Sequence, residues 1–64
     1  MEILKKKEHY CSIEAWNDQT GEWYNIHYTV TIVEAQRDVY QKRENAKVFN
    51  QEPRFRIVET TIYE

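Results

Sequence analysis

The chain has 64 residues, with one glycine, one proline, one cysteine and a formal net charge of −2. A domain of this length buries only about 60% of the surface its unfolded chain exposes, and a single cysteine excludes an internal disulfide. Two Trp, five Tyr and two Phe set the composition apart from disordered chains, and support from self-association or a partner is expected for so small a core.

The opening MEILKKKE has neither the basic n-region nor the apolar h-region of a secretory signal. No run approaches the roughly 18 apolar residues of a membrane span. With an unpaired thiol, these features lead us to expect a cytoplasmic protein whose residues 1–7 are a solvated lead-in to a single domain spanning 1–64.

Residues 8–30 read as a β-hairpin. HYCSIEAW alternates, with Cys11, Ile13 and Ala15 opposed to Tyr10, Ser12, Glu14 and Trp16. WYNIHYTV alternates too, with Tyr24, Ile26, Tyr28 and Val30 opposed to Trp23, Asn25, His27 and Thr29. NDQTGE between them is turn chemistry, and Gly21 can take the positive φ that a longer hairpin loop needs. Pairing Trp16 with Trp23 predicts that Ile13 faces Ile26 and Cys11 faces Tyr28 on the inner side.

Residues 31–49 read as a helix. Thr31 and Glu34 fit a capping box, with Val30 and Ala35 placed as a hydrophobic staple. The stripe Ile32, Ala35, Val39, Ala46 and Phe49 has helical spacing, Asp38 and Lys42 form an i,i+4 pair, and Pro53 lies beyond the stop. Residues 53–63 read as a third strand with Phe55 and Ile57 toward the core. Val58, Thr60 and Ile62 fall on the opposite face, unless a bulge near Val58 turns them inward. The predicted fold is α+β, a β-β-α-β chain forming a three-stranded antiparallel sheet of order 2-1-3 with the helix on one face.

Charge is uneven along the chain. Glu8 to Gln36 carries the acids Glu8, Glu14, Asp18, Glu22 and Glu34 without a Lys or Arg, whereas Arg37 to Arg56 carries six bases and three acids. Catalytic signatures are scarce. Ser12 faces His27 in the expected register with Glu14 diagonal, but an open sheet offers such a trio no oxyanion hole or Gly-rich elbow. Cys11 reads as an inert core thiol. His9 and His27 with one cysteine fall short of a four-ligand zinc site, and Glu8–His9 is a two-ligand fragment. No enzyme activity, cofactor or metal is expected.

The stretch from Tyr10 to Tyr24, YCSIEAWNDQTGEWY, together with Tyr40 on the helix, resembles the short uracil-DNA glycosylase inhibitors of Bacillus phages. In that family an alternating strand beginning with Tyr leads through an acidic turn with Gly to a Tyr-rich strand, a helix and a last strand. The resemblance spans about two thirds of the chain and rests on a few common hairpin residues. The family mimics DNA with acids and presents an aromatic and an acid on its helix, where this chain has Gln36 and Arg37. The resemblance therefore implies the broader type, a small non-enzymatic inhibitor or modulator, commonly dimeric, that binds a bacterial or host protein and occludes a surface of it.

On that reading Tyr10, Trp16 and Trp23 anchor the partner, Glu14, Asp18 and Glu22 form a charged rim, and Tyr40 is a flanking contact. A second reading is a nucleic-acid-binding accessory protein using Lys42, Arg43, Lys47, Arg54 and Arg56. A third is a structural subunit of a larger assembly.

Overall fold

The computed structural model describes Ile3 and residues 5–63. Met1, Glu2 and Leu4 of the expected lead-in, and the terminal Glu64, lie outside the described residues. The element order is β1 (Lys6–Asn17), β2 (Glu22–Thr29), α1 (Ile32–Lys47) and β3 (Phe55–Tyr63). The three strands form an antiparallel sheet in the order β2-β1-β3, an α+β fold with an open sheet. Strand β1 starts earlier and β3 later than the sequence suggests, and the helix closes two residues before position 49.

Local chemistry explains these boundaries. In the hairpin turn the Asn17 side-chain oxygen accepts from the Gln19 and Thr20 N–H groups at 2.9 and 3.3 Å, and Gly21 N–H donates to Asn17 C=O at 2.8 Å. Gly21 sits at φ 70°, in the left-handed region. Thr31 caps the helix: its hydroxyl accepts from Glu34 N–H and donates to the Glu34 carboxylate, both at 3.2 Å. The expected staple is not built, because Val30 stays 69% exposed. At the other end Asn50 adopts φ 55°. Gln51 N–H then donates to Ala46 C=O and Asn50 N–H to Lys47 C=O, both at 3.0 Å, which closes the helix as a Schellman motif.

The core is thin. Cys11, Ile13, Ala35 and Val39 form its buried cluster, with Ile26, Phe55 and Ile57 packed against it. From the predicted helical stripe only Ala35 and Val39 are buried, Ala46 is half-buried, and Ile32 and Phe49 remain exposed. The Lys42 ammonium, which interrupts the stripe, is held by Asp38 at 2.7 Å.

Strand register departs from expectation at one point. Trp16 pairs with Trp23 and Ala15 with Tyr24 as expected, but a bulge lies between Ile13 and Glu14. Beyond it Ile13 pairs with His27, Ser12 with Tyr28 and Cys11 with Thr29, so Ile26 is the extra residue on β2. The predicted pairings Ile13–Ile26 and Cys11–Tyr28 are corrected accordingly. Tyr28 moves to the outer face, while His27 and Thr29 turn to the helix side. Half-buried Ile26 still reaches the core, and the buried Thr29 hydroxyl donates to Thr31 C=O at 2.9 Å beside the helix start. In β3 the alternation runs unbroken through Val58, which pairs with Ser12 and faces outward with Thr60 and Ile62. The irregularity against β3 lies instead between Lys6 and Glu8.

Candidate interaction face on the open side of the sheet

One helix covers one side of the sheet, and the rungs of the other side can be read across from β2 through β1 to β3. Trp23, Trp16 and Arg54 form the rung nearest the turn, with Trp16 N–H donating to Arg54 C=O at 3.0 Å. Asn25, Glu14 and Arg56 form the next, and Tyr28, Ser12 and Val58 the third. Past the end of β2 the face continues as Tyr10 with Thr60 and Glu8 with Ile62.

The tryptophan rings meet edge to face, with centroids 5.4 Å apart and planes at 65°, a geometry that matches the negative face and positive edge of the rings. The guanidinium of Arg56 lies 4.4 Å from the Trp23 ring centre, and that of Arg54 lies 5.3 and 5.7 Å from Trp16 and Trp23. Arg56 also pairs with the Glu14 carboxylate. One acid of the hairpin, Glu14, and one base of the third strand, Arg56, which look separate along the chain, therefore meet across the sheet.

Tyr10 and Tyr28 form a second edge-to-face pair, 5.7 Å apart at 78°. The arginines roof the tryptophans, which are half-buried, whereas Tyr28 is 59% exposed and Val58 and Ile62 are 37% and 39% exposed. Ser12, between Tyr28 and Val58, is buried on this outer side. The uncovered apolar portion of the face is thus its Tyr28, Val58 and Ile62 end. Strand β1 from Lys6 to Tyr10 pairs only with β3 among the described residues, which leaves a strand edge beside the tyrosines.

Of the residues expected to contact a partner, the anchors Tyr10, Trp16 and Trp23 and the rim residue Glu14 share this face. Asp18 and Glu22 lie exposed at the turn. Tyr40 does not join them: it is exposed on the helix, in a hollow at the β3 edge with Gln36, Val39, Arg43 and Arg56. Tyr28, expected inside, is the residue that the sequence reading missed on the outer face. The bases of the nucleic-acid reading are also divided. Arg54 and Arg56 lie over the tryptophans, while Lys42, Arg43 and Lys47 lie on the helix. Lys42 and Lys47 are held in ion pairs by Asp38 and Glu44, at 2.7 and 2.9 Å. The hydrogen bond and the charge of Glu44 raise the Lys47 pKa above its ordinary value.

The Ser12, His27 and Glu14 trio is not assembled, because the bulge puts His27 on the helix side of the sheet. A different grouping forms there instead. Glu59 pairs with Cys11, and the possible ligand atoms of His9, Cys11 and Glu59 lie within 4.8 Å of one another.

The fold and this surface define a class: a very small α+β domain with a one-helix core and an open, aromatic, arginine-roofed sheet face. Comparison with protein-family models, with curated proteins and with solved structures gave no match. Among the described residues no helix is long and apolar enough to cross a membrane.

Proposed function

We propose that the chain is a non-enzymatic protein-binding module that lays the Tyr28 end of its open sheet face on another protein and occludes that surface. The supporting observation is the exposed row of Tyr28, Val58 and Ile62 next to Tyr10 and the edge of β1 that is unpaired among the described residues. Tyrosine anchors beside a polar rim are the usual composition of a binding patch, and a free strand edge adds main-chain donors and acceptors for a partner strand. Asp18 and Glu22 at the exposed turn steer approach toward a basic target surface. The target is a bacterial or host protein of the kind bound by small inhibitors, and a second copy of the chain is the other occupant considered.

The test is capture of binding proteins from bacterial lysate, comparing the folded wild type with Tyr28→Ala and with Tyr40→Ala on the helix layer. The expected result is a discrete protein held by wild type and by Tyr40→Ala and released by Tyr28→Ala. Retention that ignores the face, or none above background, refutes the reading. Sedimentation at several concentrations separates a homodimer from a monomer.

One observation favours a second reading. Arg54 and Arg56 over Trp16 and Trp23 place cations and stacking rings on one face, as single-stranded nucleic-acid binders do. That reading expects a gel shift at low salt that fades steeply as salt rises and is lost in Trp23→Ala. The protein-binding reading expects none.

A further inference from the structure

Strand alternation sets His9 and Cys11 on the same, helix-facing side of β1, and the β1–β3 register puts Glu59 across from Cys11 and Thr61 across from His9. Cys11 is fully buried in the core cluster, His9 is half-buried and Glu59 is exposed. Each of the three offers one ligand atom, and those atoms all lie within 4.8 Å of one another. We propose that His9, Cys11 and Glu59 bind one zinc-class divalent ion, through Nε2, Sγ and a carboxylate oxygen, and so clamp β1 to β3 near the start of the helix.

Three observations carry the assignment. The first is distance. Zinc bonds of about 2.0–2.3 Å in tetrahedral geometry place ligand atoms roughly 3.3–3.8 Å apart, so a spacing of 4.8 Å needs a contraction of about 1–1.5 Å, while His9 Nε2 and the Glu59 carboxylate already stand at 3.8 Å. The second is orientation. His9 Nδ1 is hydrogen-bonded to Thr61 Oγ1 at 2.8 Å, while Nε2 faces the Glu59 carboxylate at 3.8 Å. When Nδ1–H donates to Thr61, Nε2 presents its lone pair, which is how metal-bound histidines are usually held. The third is donor chemistry. A thiolate, an imidazole and a carboxylate suit zinc and its neighbours and disfavour magnesium or calcium, which prefer oxygen alone. Three protein ligands leave a fourth position for water, on the open side where Glu59 meets solvent. Binding releases the Cys11 thiol proton to solvent.

The site also answers a structural need. Among the described residues the central cluster of the core holds only four buried side chains, and domains this small often rely on a bound metal. The register that creates the site joins residues from opposite ends of the chain, so an ion there closes a long loop.

Cobalt(II), added to the reduced full-length chain, is the probe. The expected result is a thiolate-to-cobalt charge-transfer band that saturates at one ion per chain and is displaced by zinc. Zinc at the same concentration also raises the thermal midpoint of wild type more than that of Glu59→Gln. His9→Gln and Glu59→Gln weaken cobalt binding by at least about tenfold, and loss of the orienting partner in Thr61→Val weakens it by about 10–100-fold. Cys11→Ser removes the band. Should that variant fail to fold, exposed Glu59 still carries the test, because Glu59→Gln leaves the core untouched. No charge-transfer band in folded wild type at stoichiometric cobalt overturns the proposal, as does equal affinity in wild type, His9→Gln and Glu59→Gln.

Discussion

Replacing Trp23 with alanine tests whether the turn end of the open face is a structural clasp. The substitution removes the edge-to-face contact with Trp16 at 5.4 Å, worth about 0.5–1.5 kcal/mol beyond burial. It also removes the ring beneath two guanidinium groups, Arg56 at 4.4 Å and Arg54 at 5.7 Å, worth about 0.5–1 kcal/mol each at exposed sites. With the partly buried ring surface included, the expected loss is about 3–5 kcal/mol. A domain of this length has a total stability of about 3–10 kcal/mol, so the loss is a large share of it. Urea unfolding followed by far-ultraviolet circular dichroism measures it without relying on tryptophan emission. Several protein concentrations reveal any contribution from self-association. A double-mutant cycle with Trp16→Ala isolates the ring pair and should give a coupling of about 0.5–1.5 kcal/mol. A coupling near zero, with a Trp23→Ala loss below about 0.5 kcal/mol, refutes the clasp.

Two helix-end predictions rest on equally local geometry. Thr31→Ala removes the hydroxyl that serves Glu34 N–H and the Glu34 carboxylate. It should cost about 0.5–2 kcal/mol in urea unfolding, with Thr31→Ser recovering most of the loss. Asn50 holds φ 55° in the Schellman closure. Asn50→Val should cost about 1–2 kcal/mol, whereas Asn50→Gly, freed of the Cβ penalty, should be neutral or slightly stabilising in the same assay.

The sequence made the element order, the helix start and the sheet order legible because each had a local cause. Thr31 with Glu34 marks a helix start, Gly21 marks the turn, and Trp16 with Trp23 sets the register nearest it. The bulge at Ile26 has no such mark. Both parities of β2 carry side chains that suit a half-buried strand, with Ile26 and Tyr28 on one and His27 and Thr29 on the other. The gain from placing Ile26 on the core and Thr29 beside the helix start appears only in three dimensions. The same limit hid Glu59 as a neighbour of Cys11, since their pairing depends on a register between residues 48 positions apart. The roof over the tryptophans was partly legible. Placing Phe55 and Ile57 inward sends Arg54 and Arg56 outward by alternation, but reading charge along the chain instead of across the sheet concealed the meeting of base and ring.

The roof also divides labour along the open face. A ring covered by a guanidinium must shed that cover before a partner can use it, and the Glu14 carboxylate holds Arg56 in place. Displacing such a group costs both its contact with the ring and its ion pair. Among the described residues Tyr28, Val58 and Ile62 carry no comparable roof, and β1 beside them pairs on one side only. A partner therefore gains more, at a smaller cost in rearrangement, by landing on the tyrosine end while the tryptophan end keeps the hairpin rigid. If so, Trp23→Ala should lower stability more than intrinsic affinity, once affinity is corrected for the folded fraction, and Tyr28→Ala should do the reverse. A single β2 residue inserted at Ile26 is what makes this division possible, because without the bulge Tyr28 would point toward the helix.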